Sequence, residues 1–241
     1  VRSNRLGRIE APVSALVFSY GEFSGNGAGF SLSEAAFLAS PHTDFPEHPC
    51  VRKITVLTSP SNPSIRKLYN RLPNVTAIPF KLKAASLDIG AMLTLMAVNE
   101  SATIPLYMAT VESILRDLAT ESEDGGLNYR EFKERLKLCD FNPAQLNMLE
   151  MRLGLLESFI DMEGNSPQPS YHPGEITIVD LSCPFVTANT ACILFKLALQ
   201  QFLQSRTPGK MVVLDEAHKA SSPHYVYKRT LTKQPVHAQH P

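Results

Sequence analysis

The chain has 241 residues, 44% of them hydrophobic and 19% charged, which is enough for one large or two small domains with a real core. Its 23 basic and 23 acidic side chains cancel, and that argues against a nucleic-acid footprint spread over the whole surface. Mean hydropathy is −0.08 and no apolar run nears the ~18 residues of a membrane span, so a membrane-embedded chain is excluded and a cytoplasmic or nuclear one is expected.

Five short apolar runs bounded by turn residues read as strands: 14–18, 53–57, 75–78, 175–179 and 210–214. Their apolarity is continuous rather than alternating, the pattern of strands covered on both faces of a parallel sheet. Asn62-Pro63 supplies an N-cap and a first-turn proline for a helix running to about Arg71. Ser86 caps a second helix to about Val98. Between Pro105 and Asp161 the sequence carries no strand signal. Three helical segments are expected there: Pro105 to Ala119, Asn128 to Leu138, and one capped by Asn142-Pro143. In the third, Leu146, Leu149, Leu153, Leu156 and Ile160 recur at helical spacing as a packing stripe. A last helix, from about Ala188 to Gln204, is apolar on nearly every face and is expected to be buried.

Strand, helix, strand in this order predicts an α/β fold with crossover connections. The expected division is an α/β core over 1–100 and 166–219, an all-helical insertion over 101–165 and a tail over 220–241. The tail has no Asp or Glu, carries Lys228, Arg229 and Lys233, and lacks periodicity, so it is expected to be disordered. Cys50, Cys139, Cys183 and Cys192 are scattered without a C-x-x-C, as expected of reduced thiols.

The strongest chemical signal is Met211-Val212-Val213-Leu214-Asp215-Glu216-Ala217-His218-Lys219. Four apolar residues followed by Asp-Glu form a Walker B pattern, in which a buried strand delivers acids to the carboxyl edge of the sheet. In that pattern Asp215 holds Mg²⁺ through water, and Glu216 activates the attacking water. The G-x-x-x-x-G-K-[ST] cradle that should accompany it is not present. Gly25-Asn26-Gly27-Ala28-Gly29 has no following lysine and reads as a turn. Asp180 also ends a strand and is the reserve candidate for the base. His42, His48 and Cys50 form a metal-ligand triplet that lacks a fourth member. Cys183 lies at the same expected sheet edge, without a helper histidine fixed by sequence.

Asp215-Glu216-Ala217-His218 first suggests a DEAH-box helicase, whose other motifs are not found. Taken with its flanks, the chain better resembles the HerA/FtsK-like P-loop ATPases, including a fungal group of P-loop NTPases. Ala15 to Ser24 resembles that family's strand followed by D-P-x-G-E-[YF]-S, with Ser19-Tyr20 in place of Asp-Pro. Only Gly21, Glu22 and Phe23 carry over from it. Glu175 to Ser182 resembles the strand ending in D-L-S, and a helix and the Walker B strand follow as in the family.

The resemblance implies a parallel RecA-like P-loop NTPase sheet, incomplete at both ends, with ATP and Mg²⁺ as cofactors. It places Glu22, Asp180, Asp215, His218 and Lys219 at the nucleotide, with Asp215 and Glu216 catalytic. It also implies self-association, often as a ring, and a nucleic-acid or protein substrate. The chain opens on Val1, so an interior start is expected, and alone it should bind ATP weakly or not at all. The other expectation is a non-enzymatic scaffold on a degenerate ATPase fold, with the helical insertion binding a partner protein. Finally, the strand 210–214 is expected to lie centrally in the family's sheet, next to a P-loop strand that this chain does not contain, so that side is expected to be open or paired with a substitute such as Tyr225-Val226-Tyr227.

Overall fold

The structure, a computed structural model, describes residues 11–21, 31–41, 44, 49–83, 92, 106–122 and 128–215. The expected helix from Ser86, the members His42 and His48 of the incomplete metal-ligand triplet, and the tail 220–241 lie outside the described residues.

All five expected strands form: β1 (Ser14–Ser19), β2 (Ile54–Thr58), β3 (Val75–Pro79), β6 (Ile176–Asp180) and β7 (Lys210–Leu214). They make one five-stranded, all-parallel sheet in the order β3-β2-β6-β1-β7. Two-residue strands β4 (Leu82–Lys83) and β5 (Ile160–Asp161) form a separate parallel pair. This corrects the expectation of no strand between 105 and 161. It also takes Ile160 out of the helical stripe, since a two-residue pairing leaves no periodic trace in sequence.

Register fixes the two faces. Val17, Ile178, Val56 and Ala77 align across four strands, as do Phe18, Val179, Leu57 and Ile78 one residue on. Successive side chains point to opposite faces, so each row belongs to one side of the sheet. The first row packs with Ala36, Ala39, Ile65 and Tyr69, from a 3₁₀ turn at Glu34–Ala39 and helix α1 (Pro63–Tyr69). The second row packs with α2 (Leu106–Glu121), α3 (Tyr129–Lys137), α4 (Pro143–Ser158) and α5 (Ala188–Gln204). One continuous apolar cluster joins these helices to the sheet, so the middle of the chain is a layer of the core.

The caps read from sequence are present. Asn62 Oδ1 accepts from the Ile65 amide at 3.2 Å, and Asn142 and Gln145 close a reciprocal capping box at 2.9 and 3.0 Å. On α4 the Leu149, Leu153 and Leu156 side packs inward while Leu146, Met148 and Met151 are exposed. On α5, Ala191, Leu194, Ala198 and Phe202 are buried, but Cys192 and Leu203 face solvent. The helix is thus covered on one broad face only, because it lies on the outside of a two-sided sheet.

β7 ends the strand order, and among the described residues only β1 pairs with it, so the side expected to face a P-loop strand is open there, one of the two expected outcomes. Its apolar residues Met211 to Leu214 are all exposed.

Among the described residues no helix is long and apolar enough to cross a membrane.

Candidate functional site

The connections choose the site. After β1 and after β2 the chain covers one face of the sheet, with the 3₁₀ turn and α1. After β6 it covers the other face, with α5, before reaching β7. β1 and β6 are neighbours, so connections leave in opposite directions between their carboxyl ends. Such a switch point opens a crevice where doubly wound sheets bind ligands.

Gly21 and Ser182 stand at this point. The Gly21 amide donates to Ser182 Oγ at 2.8 Å. A Cβ added at Gly21 would lie 3.3 Å from that same oxygen, a tight approach that Ser182 would have to relieve by a few tenths of an ångström. Tyr20 beside it donates its hydroxyl to the Val186 carbonyl at 2.9 Å and pins the loop that follows Ser182.

Asp180 lies beneath, fully buried. Its Oδ2 accepts from the Tyr69 hydroxyl at 2.5 Å and its Oδ1 from the Ser182 amide at 2.9 Å. Tyr69 in turn accepts from the Ser33 amide at 2.8 Å, and Asn62 Nδ2 donates to the Ser182 carbonyl at 2.9 Å. Burial pushes the Asp180 carboxyl up, against the lowering effect of its bonds from Ser182 and Tyr69. The Tyr69 phenol is pushed far above its usual range, by burial first and then by the Asp180 charge. Both shifts favour a proton kept between the two groups. Two hydroxyl oxygens near this network, on Ser33 and Ser59, are buried with no hydrogen-bond partner.

Asp215 is the counterpart of Asp180 on the other side of β1. Its amide donates to the Phe18 carbonyl at 2.9 Å, which continues the ladder one residue past the Phe18–Leu214 pair. Asp215, Ser19 and Asp180 therefore follow one row along the carboxyl edge, and the two acids stand two strand spacings apart, about 10 Å. Asp215 is only half-buried, and its charge reaches Tyr69, whose phenol it helps to raise.

The structure thus brings Asp215, Asp180 and Gly21 to one edge. Glu22, Glu216, His218 and Lys219 lie outside the described residues. Asp180 has both oxygens engaged by protein donors, while Asp215 has no ion pair among the described residues. Sequence reasoning missed Tyr69, whose only signal is its place at the end of α1. It caught Asn62 as a cap but not as the donor to Ser182. Cys183 is buried, which closes it to solution reagents, and none of the four cysteines is in a disulfide.

Among the described residues no group of three acids, histidines or cysteines could hold a metal ion. Half-buried at the sheet edge, Asp215 fits the water-mediated Mg²⁺ contact of a single Walker B acid, but the described residues contain no G-x-x-x-x-G-K-[ST] segment to hold a triphosphate. The Gly21 amide is already taken by Ser182. No protein-family model, curated protein or solved structure matches the chain.

Proposed function

We propose that this chain is the Walker B half of an ATP-hydrolysing core of the HerA/FtsK-like type, with Asp215 holding Mg²⁺ through water and Glu216 as base. The observation that carries the reading is the convergence of Asp215 and the Gly21–Ser182 contact on the carboxyl edge, at and beside the switch point of a parallel sheet. Bound Mg²⁺ would supply charge neutralisation at the phosphates. Asp180 in this reading is a positioning residue: it fixes Ser182, and Ser182 fixes Gly21 next to Glu22. A solvated carboxylate is a better metal partner than one shared with a phenol, which is why the role falls to Asp215.

The triphosphate cradle must come from residues other than those described. Linked to a G-x-x-x-x-G-K-[ST] segment, the protein should hydrolyse ATP. There, Glu216→Gln should keep MgATP binding and lower turnover at least ~10²-fold, the low end for loss of a general base. A smaller loss would assign the base elsewhere. The chain alone should bind MgATP weakly or not at all in isothermal titration, and micromolar affinity would overturn the dependence on an added cradle.

A second reading, a protein-docking scaffold on a degenerate ATPase fold, is favoured by the exposed Met148 and Met151 on α4. It predicts no turnover even with the cradle supplied.

A further inference from the structure

We propose that Asn62 is a positioning residue of the switch point: through Ser182 it holds Gly21 in place, a task separate from its cap on α1. This inference does not depend on the ATPase reading.

Residue type comes first. A helix cap needs only an acceptor, and Ser, Thr or Asp would supply one. Asn adds two N–H donors, and a buried amide that leaves them unpaired is costly. Asn62 is buried, and it uses both ends of its amide. Its Oδ1 accepts from the Ile65 amide at 3.2 Å, and its Nδ2 donates to the Ser182 carbonyl at 2.9 Å, 120 residues away. Exchanging oxygen and nitrogen would set donor against donor and acceptor against acceptor, so the two bonds fix the orientation of the amide. The backbone is held as well. The Asn62 amide donates to the Ser59 carbonyl at 3.0 Å, and Pro63 disfavours helical backbone in the residue before it.

Ser182 then gathers three strand ends. It is 2% exposed, and its amide, carbonyl and hydroxyl are all bonded. The amide donates to Asp180 Oδ1 at the end of β6, the carbonyl accepts from Asn62 after β2, and the hydroxyl accepts from the Gly21 amide after β1. β2, β6 and β1 lie side by side, so one residue ties together the carboxyl ends of three adjacent strands. Tyr69 bonds the far end of the seven-residue α1 to Asp180, and both ends of that helix are thereby fastened to the segment from Asp180 to Ser182. Where Ser182 sits decides where the Gly21 amide finds its acceptor, and Asn62 holds Ser182 from the side opposite Gly21 in strand order.

Amide hydrogen exchange in the whole chain tests this, with Val56 in the buried strand β2 as the reporter of global unfolding. Asn62→Ser and Asn62→Asp keep a capping oxygen and remove the donor. In each, the Gly21 amide should exchange about tenfold faster relative to Val56, the worth of one hydrogen bond, while Ile65 keeps its wild-type rate. Ser182→Ala removes the acceptor itself and should speed Gly21 at least as much. Adding Asn62→Ser to Ser182→Ala should speed it no further, because Asn62 acts through the hydroxyl that is gone. A capping role alone predicts wild-type exchange at Gly21 in the cap-keeping variants, and that result would overturn the proposal. Equal acceleration at Ile65 and Gly21 would do so too, as would effects that multiply in the double variant. If neither cap-keeping variant folds, wild type decides: a scalar coupling across the hydrogen bond from Asn62 Nδ2 to the Ser182 carbonyl is expected, and its absence refutes the contact.

Discussion

β6 and β7 flank the same strand, β1, and read almost alike: Ile-Thr-Ile-Val-Asp against Met-Val-Val-Leu-Asp. In three dimensions they are opposites. β6 lies between β1 and β2, its side chains covered on both faces, and its terminal Asp180 is sealed under Tyr69 and Ser182. Among the described residues β7 has one neighbour, its apolar residues are exposed, and Asp215 is half-buried. The number of neighbouring strands separates them. A second neighbour, β2, brings α1 over the end of β6, and Tyr69 at the end of that helix supplies one donor to the acid, while the segment after β6 supplies the other through the Ser182 amide. One carboxyl thus becomes part of the framework, and the other stays half-buried at the sheet edge.

The contrast is broken most severely by removing each acid. Asp180→Ala would leave the Tyr69 hydroxyl and the Ser182 amide buried without an acceptor, and should cost about 3 kcal/mol in urea unfolding. Asp215→Ala should change stability by less than about 0.5 kcal/mol, as for an open surface position. Equal costs would refute the distinction between framework acid and free acid.

Tyr69→Phe is a milder cut. It removes the donor to Asp180 and the acceptor of the Ser33 amide while keeping the ring in the core, and should cost about 1–2 kcal/mol. The same change made together with Asp180→Ala should cost much less than the sum, because the two groups share one network.

The smallest effect is in pH. The folded-state pKa of Asp180 is raised, so the folded protein binds a proton that the unfolded chain has released. Its contribution is complete below the unfolded value of about 3.9 and is lost as pH rises through the folded value. Stability of wild type relative to Asp180→Asn should therefore fall from about pH 4 upward. A rise with pH at Asp180 would mean that its hydrogen bonds outweigh its burial.

Much of this fold was legible in the order of residues. Continuous apolar runs between turns located all five strands of the main sheet within a residue or so, because a doubly covered strand needs apolar side chains on both sides. Asn62, Asn128 and Asn142 marked helix starts through a local bond to the third residue beyond, an interaction that needs no tertiary partner. The Asp-Glu after 210–214 and the Asp-Leu-Ser after β6 pointed to one sheet edge.

Only the tertiary structure decided the rest. Strand order is a long-range choice, so nothing local to 210–214 says that it lies outside β1 while 176–180 lies inside. The partnership of Tyr69 with Asp180 spans 111 residues of chain and exists because α1 and β6 meet on one face. Sequence by itself determined which segments are strands and helices and which acids end strands, since those follow from local bonding and side-chain pattern. Which acid is buried and which is free, and which strand keeps an open edge, depends on how many neighbours each strand acquires, a quantity set by packing between distant segments.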